Sequence, residues 1–581
     1  MRSYEFDPAP HERAIVRIVE ALVSEGPVDD RRLYRLFTRH PKAPGQVFSK
    51  HELIRGVRRF APEYGWDEAS VVSLLRSKPV RSHSGVAPVT VLTKPYPCPG
   101  KCVFCPNDVR MPKSYLAMEP GAQRAFHFRF DPYAQTYGRL RAFHENGHAI
   151  EKVELIVLGG TWTHYPESYR IWFISRCFQA LNDFDPRNLK TDLDLPDIDY
   201  EALPEKVDGR DDTVSYNQRI GAFWRSVTPA AEHATWEELR AIQDTNRDAR
   251  ARCVGLSLET RPDEIDESSI VALRRLGATK LQLGLQSLDD EILKLNERGH
   301  DVLQSARAVA TARAAGFKIQ AHWMANLLGA TPDRDKADFE RLFDDDRFRP
   351  DELKLYPNAL VESSALMLHH ERGAWRPYDD EELLAVVTHG LLSTPRYCRL
   401  SRVIRDIPGH DILVGNKQSN FRETAERVLR ERGAILKDIR AREVKRAAPF
   451  LDRSTSKVTT YGSGIGTEVF LEFVDDRDRL AGFCRLALAD GRRSQPAFAE
   501  LRDVALIREL HVYGPAATLG DKSPTLHQHG GLGRRLLDSA EDIARRAGYR
   551  SMAVISAVGT ERYYERSGYT RGDAYHHKAL S

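Results

Sequence analysis

The stretch Cys98-Pro99-Gly100-Lys101-Cys102-Val103-Phe104-Cys105-Pro106 decides the fold, because of what precedes and follows it. It comes just after the apolar run Val89 to Leu92. Similar runs recur at Val153 to Leu158, Val254 to Leu258, Leu281 to Leu285, Ile319 to Trp323 and Leu353 to Tyr356. From Val254 onward helical patterns separate them, such as Ser268 to Leu276 and Val302 to Ala315. Strand followed by helix, repeated, builds a parallel sheet. Six such units fall short of a closed eight-stranded barrel. The expected fold is therefore α/β, an open partial (β/α)6 barrel with the cysteines at the C-terminal end of its first strand. Barrels keep their active sites at that end.

Three thiolates in one tight loop can hold three irons of a four-iron cluster and leave the fourth iron open to a ligand. A structural zinc knuckle is the competing expectation. Zinc wants four closed ligands; no second cysteine pair is present, and His83 or His127 would have to complete the set. The remaining cysteines, Cys177, Cys253, Cys398 and Cys484, are scattered and read as small buried hydrophobes. Seven cysteines in 581 residues are too few for a disulfide framework.

Outward from the barrel, residues 1–75 read as helical, with Ile15, Ile18, Val19 and Leu22 at helical spacing. The barrel is expected over 76–399, interrupted by an acidic and helical insertion at about 183–250. Residues 400–445 form an Arg-rich connector. Residues 446–581 change pattern to alternating strands (Thr467 to Val474, Phe483 to Leu488, Ala505 to Val512), a glycine-rich turn and the Arg534 to Ala547 helix. These describe a second, separate α/β domain.

Charge is uneven along the chain, although its net value is only +3. Between Arg31 and Arg59 nine basic residues stand against Glu52, and between Asp183 and Asp212 eleven acids stand against four bases. The near-neutral total thus hides a basic protein with one acidic segment. Clustered basic side chains contact phosphates and release counterions, so Arg31, Arg32, Arg35, Arg39, Arg55, Arg58 and Arg59 are candidate RNA-binding residues, with Arg81 further along the chain added to them; the alternative for the run is a solvated helical face. The acidic segment is either a solvated insertion or an internal mimic of phosphate that competes for that surface. No eighteen apolar residues run together, and Glu5, Asp7, Glu12, Glu20 and Glu25 argue against a leader, so a cytoplasmic protein without membrane contact is expected.

The turn Gln528-His529-Gly530-Gly531-Leu532-Gly533 precedes a helix. Glycines there expose backbone N–H groups, and the helix dipole favours an anion.

The C-x3-C-x2-C spacing after a first barrel strand resembles the radical S-adenosylmethionine superfamily. That resemblance implies a [4Fe-4S] cluster on Cys98, Cys102 and Cys105, whose open iron chelates S-adenosyl-L-methionine. It also places Gly159 and Gly160, Glu259 and Gln286, all at strand ends, in the cofactor pocket. The Q-x-x-G-x-G turn resembles the coenzyme A loop of the GNAT acetyltransferase superfamily, which implies acetyl-CoA binding by Gln528, Gly531, Leu532, Gly533 and Arg534. By the same resemblance, Glu509, Leu510, His511 and Val512 flank the acetyl–pantetheine arm, and Tyr563 and Tyr564 lie near the thioester.

Both motifs in this order, with Phe130-Asp131-Pro132-Tyr133, Arg298-Gly299-His300 and Arg405-Asp406-Ile407-Pro408, are similar to the family of Elongator catalytic subunits and their single-chain prokaryotic counterparts. The family implies that C5 of the wobble uridine in the tRNA anticodon stem-loop receives a carboxymethyl group. A deoxyadenosyl radical would take hydrogen from the acetyl methyl, the carbon radical would add to the uridine, and water would release coenzyme A. Lys152 is implied to contact acetyl-CoA and to be catalytic with Tyr563 and Tyr564; an electron donor is required. The tight C-x3-C looks prokaryotic, which implies action without other Elongator subunits. The competing expectations are a protein lysine acetyltransferase with a scaffolding barrel, and a tRNA-binding platform without catalysis. Cys398 and His410 lack two further ligands, so no structural zinc is expected in the connector.

Overall fold

The computed structural model describes residues 6–76, 85–203, 213–227, 232–444, 454–493, 495–513 and 531–580. Arg81, His83 and Gln528 lie outside them. Four helices come first: α1 (Glu12–Glu25), α2 (Asp30–Arg39), α3 (Lys50–Tyr64) and α4 (Glu68–Leu75). Each start has a local cause. Asp29 caps α2 by accepting from the Arg32 N–H at 2.7 Å, and Ser49 with Glu52 forms a capping box on α3. Their apolar faces, among them Ile15, Leu36, Leu53 and Phe60, close over a small core of their own.

Seven parallel strands then pair in sequential order: β1 (Ala87–Leu92), β2 (Lys152–Leu158), β3 (Arg252–Thr260), β4 (Lys280–Gln286), β5 (Lys318–Ala325), β6 (Glu352–Pro357) and β7 (Arg399–Val403). The first six contain the expected runs. The seventh falls at the start of the segment assigned to the connector and joins the sheet edge, with Glu352 opposite Arg399 and Leu353 opposite Leu400. Its sequence, Arg-Leu-Ser-Arg-Val, hides it: Ser401 faces the barrel interior, where Gln320 donates to it at 2.9 Å.

That interior is polar at its lower end. Lys280 pairs with Glu154 and with Glu352, and Lys318 pairs with Glu352 at 3.1 Å. Helices α5 (Pro132–Glu145) and α6 (Glu167–Asp183) pack on each other and over the outside of the first strands. The segment 183–250 carries two helices where one was expected, α7 (Thr213–Ser226) and α8 (Trp236–Asn246). Of its acids, Asp183 takes hydrogen bonds from Tyr133 and Lys190, and Asp185 pairs with Arg187.

A second seven-stranded sheet follows, formed by β8 (Thr455–Ser463), β9 (Gly466–Val474), β10 (Leu480–Ala489), β11 (Ala505–Val512), β12 (Ser551–Val554), β13 (Thr570–Arg571) and β14 (His576–Ala579), with helices α9 (Leu532–Arg546) and α10 (Glu561–Arg566). Its order is β8-β9-β10-β11-β12-β14-β13. The ladder is antiparallel up to β11, which then pairs parallel with β12 only from Ala505 to Ile507.

The two sheets are not independent. One apolar core takes in Leu353 and Leu355 of the barrel with Phe470, Phe483 and Leu506 of the second sheet. Buried Arg508 reaches across to Asp351 and also donates to Glu468 at 2.9 Å. Among the described residues no helix is long and apolar enough to cross a membrane.

Candidate functional site

At the upper, C-terminal end of the barrel the three cysteines line a cavity of about 160 Å³ with the ends of β2, β3, β4 and β6. Cys102 is buried; Cys98 and Cys105 are partly open. Arg298 donates to the Cys102 sulfur at 3.0 Å and Arg261 at 3.6 Å. The hydrogen bond with Cys105, and after it these two guanidinium groups, hold the Cys102 thiol well below its ordinary range. Cys105, the other partner in that bond, is pushed up, and burial pushes Cys98 up.

The walls suit a polar cofactor beside a cluster. The Gln286 side-chain carbonyl oxygen is buried with no hydrogen-bond partner, on a residue held at φ +69°. Gly159 and Gly160 end β2 at φ +141° and +91°, and a Cβ on Gly159 would lie 1.7 Å from Thr93 Oγ1. Only glycine fits there. Glu259 accepts from the Tyr115 hydroxyl at 2.9 Å, and burial raises its carboxyl. Lys354 crosses the pocket floor to Gln282 at 2.5 Å. A single metal ion needs its ligands close together. Among the described residues the group of three His, Cys, Asp or Glu whose ligand atoms all lie within 4.8 Å is Glu561, Glu565 and His576, not the cysteines.

The lower end of the barrel meets the second sheet. Lys152 opens β2 there, opposite Arg252 of β3, and burial followed by the Arg252 charge lowers its ammonium. It stands at the opposite end of its strand from Gly159, so the structure does not bring it to the cysteines. Strand β11 continues past its pairing with β12, so among the described residues Glu509 to Val512 are laddered to β10 on one side only. Such a free edge can take a ligand amide.

Gly531, at φ +74°, caps α9, and a Cβ on Gly533 would lie 2.8 Å from the Tyr563 hydroxyl. That hydroxyl is buried with no hydrogen-bond partner among the described residues, as is His511 Nε2. Burial brings the His511 imidazole down to about 4, so the ring is neutral at pH 7. Two orphaned polar atoms beside a helix start and a free strand edge suit a thioester arm ending in phosphates. Tyr564 packs instead into the apolar core behind the sheet. The Glu509 carboxylate is taken by Lys318 and Arg485 at 2.5 and 2.8 Å, so it is the backbone of Glu509 that lies along this edge. Leu510 and Val512 flank this edge, Leu532 is buried under the turn, and Arg534 pairs with Asp538 at 2.8 Å.

On α2, Arg31, Arg32, Arg35 and Arg39 are exposed, while Leu33, Leu36 and Phe37 face inward. Arg32 pairs with Glu25. Arg55 and Arg58 do not belong to this surface. Arg55 donates to the Phe6 carbonyl at 3.1 Å and pairs with Glu145, and Arg58 donates to the His144 carbonyl at 2.9 Å. Both hold the N-terminal helices against α5, where backbone carbonyls need donors. Arg59 is exposed and pairs with Glu63 along its own helix.

Sequence reasoning missed the roles of Arg261 and Arg298 as donors to Cys102 and that of Lys354 on the floor. Arg261 directly follows β3 and Lys354 lies within β6, a basic residue at a buried strand being their one signal; Arg298 follows the short helix Asp290–Leu295 and has no such signal. It also missed Asn217 on α7, whose position beside the cysteine loop no local pattern announces.

Comparison with known proteins agrees with this architecture. Residues 222–345 match the Radical SAM superfamily and residues 350–431 the Radical_SAM C-terminal domain. The tRNA uridine(34) acetyltransferase of Methanocaldococcus infernus is 34% identical over 94% of this chain and 93% of its own length. Elongator complex protein 3 of Schizosaccharomyces pombe is 31% identical over 92% of this chain and 93% of its own. Among solved structures, the archaeal Methanocaldococcus infernus Elp3 with an N-terminal deletion aligns with a TM-score of 0.68 at 31% identity, covering 86% of this chain and 100% of that one.

Proposed function

Because the chain belongs to the family of tRNA uridine(34) acetyltransferases and Elongator complex protein 3, we propose that it carboxymethylates C5 of the wobble uridine of tRNA, using acetyl-CoA. The observation that carries the proposal is the joining of two ligand-ready ends by one barrel. At one end three cysteines share a pocket with paired arginines; at the other, β11 leaves Glu509 to Val512 on a free edge beside an orphaned Tyr563 hydroxyl.

Cys98, Cys102 and Cys105 would hold a [4Fe-4S] cluster, with Gly159, Gly160, Glu259 and Gln286 around S-adenosylmethionine. When bound, that pair supplies a deoxyadenosyl radical. The chain's own residues keep water and charge in order around it. Arg298 and Arg261 neutralise Cys102, and the half-buried Tyr115–Glu259 pair holds a proton at the pocket wall. A wobble base is already unpaired, so it can enter such a pocket without opening a duplex. The exposed arginines of α2 would contact tRNA phosphates. Lys152 and Tyr563 would act at the acetyl thioester, and the barrel surface would accept an external electron donor.

The test is anaerobic incubation of the iron-loaded chain with tRNA, acetyl-CoA, S-adenosylmethionine and a reductant, followed by mass spectrometry of the nucleosides. The expected product is 5-carboxymethyluridine. Its absence from a cluster-loaded sample overturns the proposal, and acetyl transfer to protein without S-adenosylmethionine points to a lysine acetyltransferase instead.

A further inference from the structure

Helix α7 belongs to the segment that interrupts the strand series, yet three of its side chains grip the cysteine loop. Tyr216, fully buried, donates its hydroxyl to the Met111 carbonyl at 2.8 Å. Trp224 donates its indole N–H to the Pro95 carbonyl at 2.8 Å. Between them, Asn217 donates to the Cys98 carbonyl and accepts from the Cys98 N–H, each at 2.9 Å. Positions 216, 217 and 224 fall on one side of a helix. Their targets bracket the loop from Pro95 to Met111.

Among the described residues this loop has no strand ladder, only an isolated bridge of Pro106 with Ser364 and individual backbone bonds at Val103 and Asn107, so its other buried N–H and C=O groups need partners from side chains. A side-chain amide carries one acceptor and two donors. Asn217 therefore satisfies both backbone groups of Cys98 at once, as an adjacent strand would. The other two thiols already have partners that orient them. Cys102 has Arg298 on its sulfur, and the Cys105 N–H donates to the Cys102 carbonyl at 3.1 Å. Cys98, whose sulfur faces Thr161 at 3.8 Å, has its backbone held by Asn217. Aromatic contacts stiffen the same seat. The Lys94 ammonium lies 3.8 Å from the centre of the Trp224 ring, and the Lys113 ammonium 4.8 Å from that of Tyr216.

We infer that α7 is the seat of the cysteine loop and that Asn217 is a positioning residue for Cys98, setting how tightly and in what geometry the loop holds its cluster. The inference rests on the cysteines being cluster ligands, as proposed above. Ligand-orienting partners of this kind are worth about 10- to 100-fold in metal affinity.

The experiment uses the full chain, reconstituted anaerobically with iron and sulfide, as wild type, Asn217→Ala and Asn217→Asp. Iron loss to a chelator, the electron paramagnetic resonance spectrum of the reduced cluster and its midpoint potential are measured beside a thermal melt. Asn217→Ala is expected to melt like wild type, to lose iron about tenfold faster, and to show a shifted spectrum or potential. Asn217→Asp, which keeps the acceptor for the Cys98 N–H, should fall between the two. Wild-type iron retention, spectrum and potential in Asn217→Ala overturn the inference. If Asn217→Ala does not fold, Asn217→Asp decides: wild-type values there overturn the inference equally. A wild-type chain that takes up no four-iron cluster overturns the cluster reading and this inference together.

Discussion

Lys318, at the start of barrel strand β5, and Glu509, on strand β11 of the second sheet, meet at 2.5 Å across the boundary between the two domains. Burial opposes both charges. For Lys318 it is outweighed by Glu352, Glu509 and Glu154, and the ammonium is raised; for Glu509 it is outweighed by Lys318 and Arg485, and the carboxyl is lowered. Removing Glu509 leaves Lys318 buried with Glu352 still at 3.1 Å, so the loss is that of one charge-assisted hydrogen bond, about 1.5–3 kcal/mol. Glu509→Gln should lower the unfolding free energy by that order, and adding Lys318→Met should restore part of it. A double variant no more stable than Glu509→Gln contradicts the coupling.

The same pair sets a pH window. Glu509 is depressed, so its contribution is complete above the unfolded carboxyl value of about 4.3 and is lost as pH falls through its folded value. Lys318 is raised, so its contribution is complete below about 10.4 and is lost as pH rises through its folded value. Denaturant melts should show a plateau between about pH 5 and pH 10, and Glu509→Gln should flatten the acid limb. An unchanged acid limb in that variant argues against the assignment.

Arg298 stabilises the Cys102 thiolate by a charged donor at 3.0 Å. Arg298→Met should weaken iron retention by about 10- to 100-fold, read by chelator challenge. Arg298→Lys, which keeps the charge without the planar fork, should recover part of it. Equal retention in all three proteins would remove Arg298 from the site.

Arg31, Arg35 and Arg39 recur every four residues on the open side of α2, beside exposed Tyr34. Replacing the three by alanine should weaken tRNA binding and flatten its salt dependence by about 0.7–0.9 log units for each phosphate left unneutralised. Arg55→Ala should instead lower stability by loosening α3 from α5. If both variants change tRNA affinity and salt slope alike, the division of the basic residues is wrong.

Gly533 leaves room for the Tyr563 hydroxyl at the start of α9. Gly533→Ala should displace that hydroxyl and weaken acetyl-CoA binding several-fold by calorimetry, with little change in melting. Adding Tyr563→Phe should recover space but not the missing polar group. Unaltered affinity in Gly533→Ala would mean that the turn is not the binding site.

Much of this architecture is legible in the linear chain because its causes are local. Strand and helix periodicities in residues 87–357 follow from apolar spacing alone, and the three cysteines lie within eight residues. Gly159, Gly160 and Gly531 mark positions that need positive φ, a backbone property carried by the residue type. Strand β7 is hidden because its polar residues face a polar barrel interior, which removes the apolar signal. Arg55 reads as a phosphate contact in the linear chain because composition reports charge but not which way a side chain turns.

The order of strands, the cysteine loop and the glycine turn were thus set by residue type and spacing along the chain. Which charges are spent inside was settled by packing: Lys318 on Glu509, Arg298 on Cys102, Arg55 on Phe6 and Glu145. Packing also brought Asn217 to Cys98, across 119 positions of sequence. The physical reason is range. Periodicity and turn chemistry act over a few residues, whereas a hydrogen bond or ion pair acts over about 3 Å between atoms that the chain places together only once its core has closed.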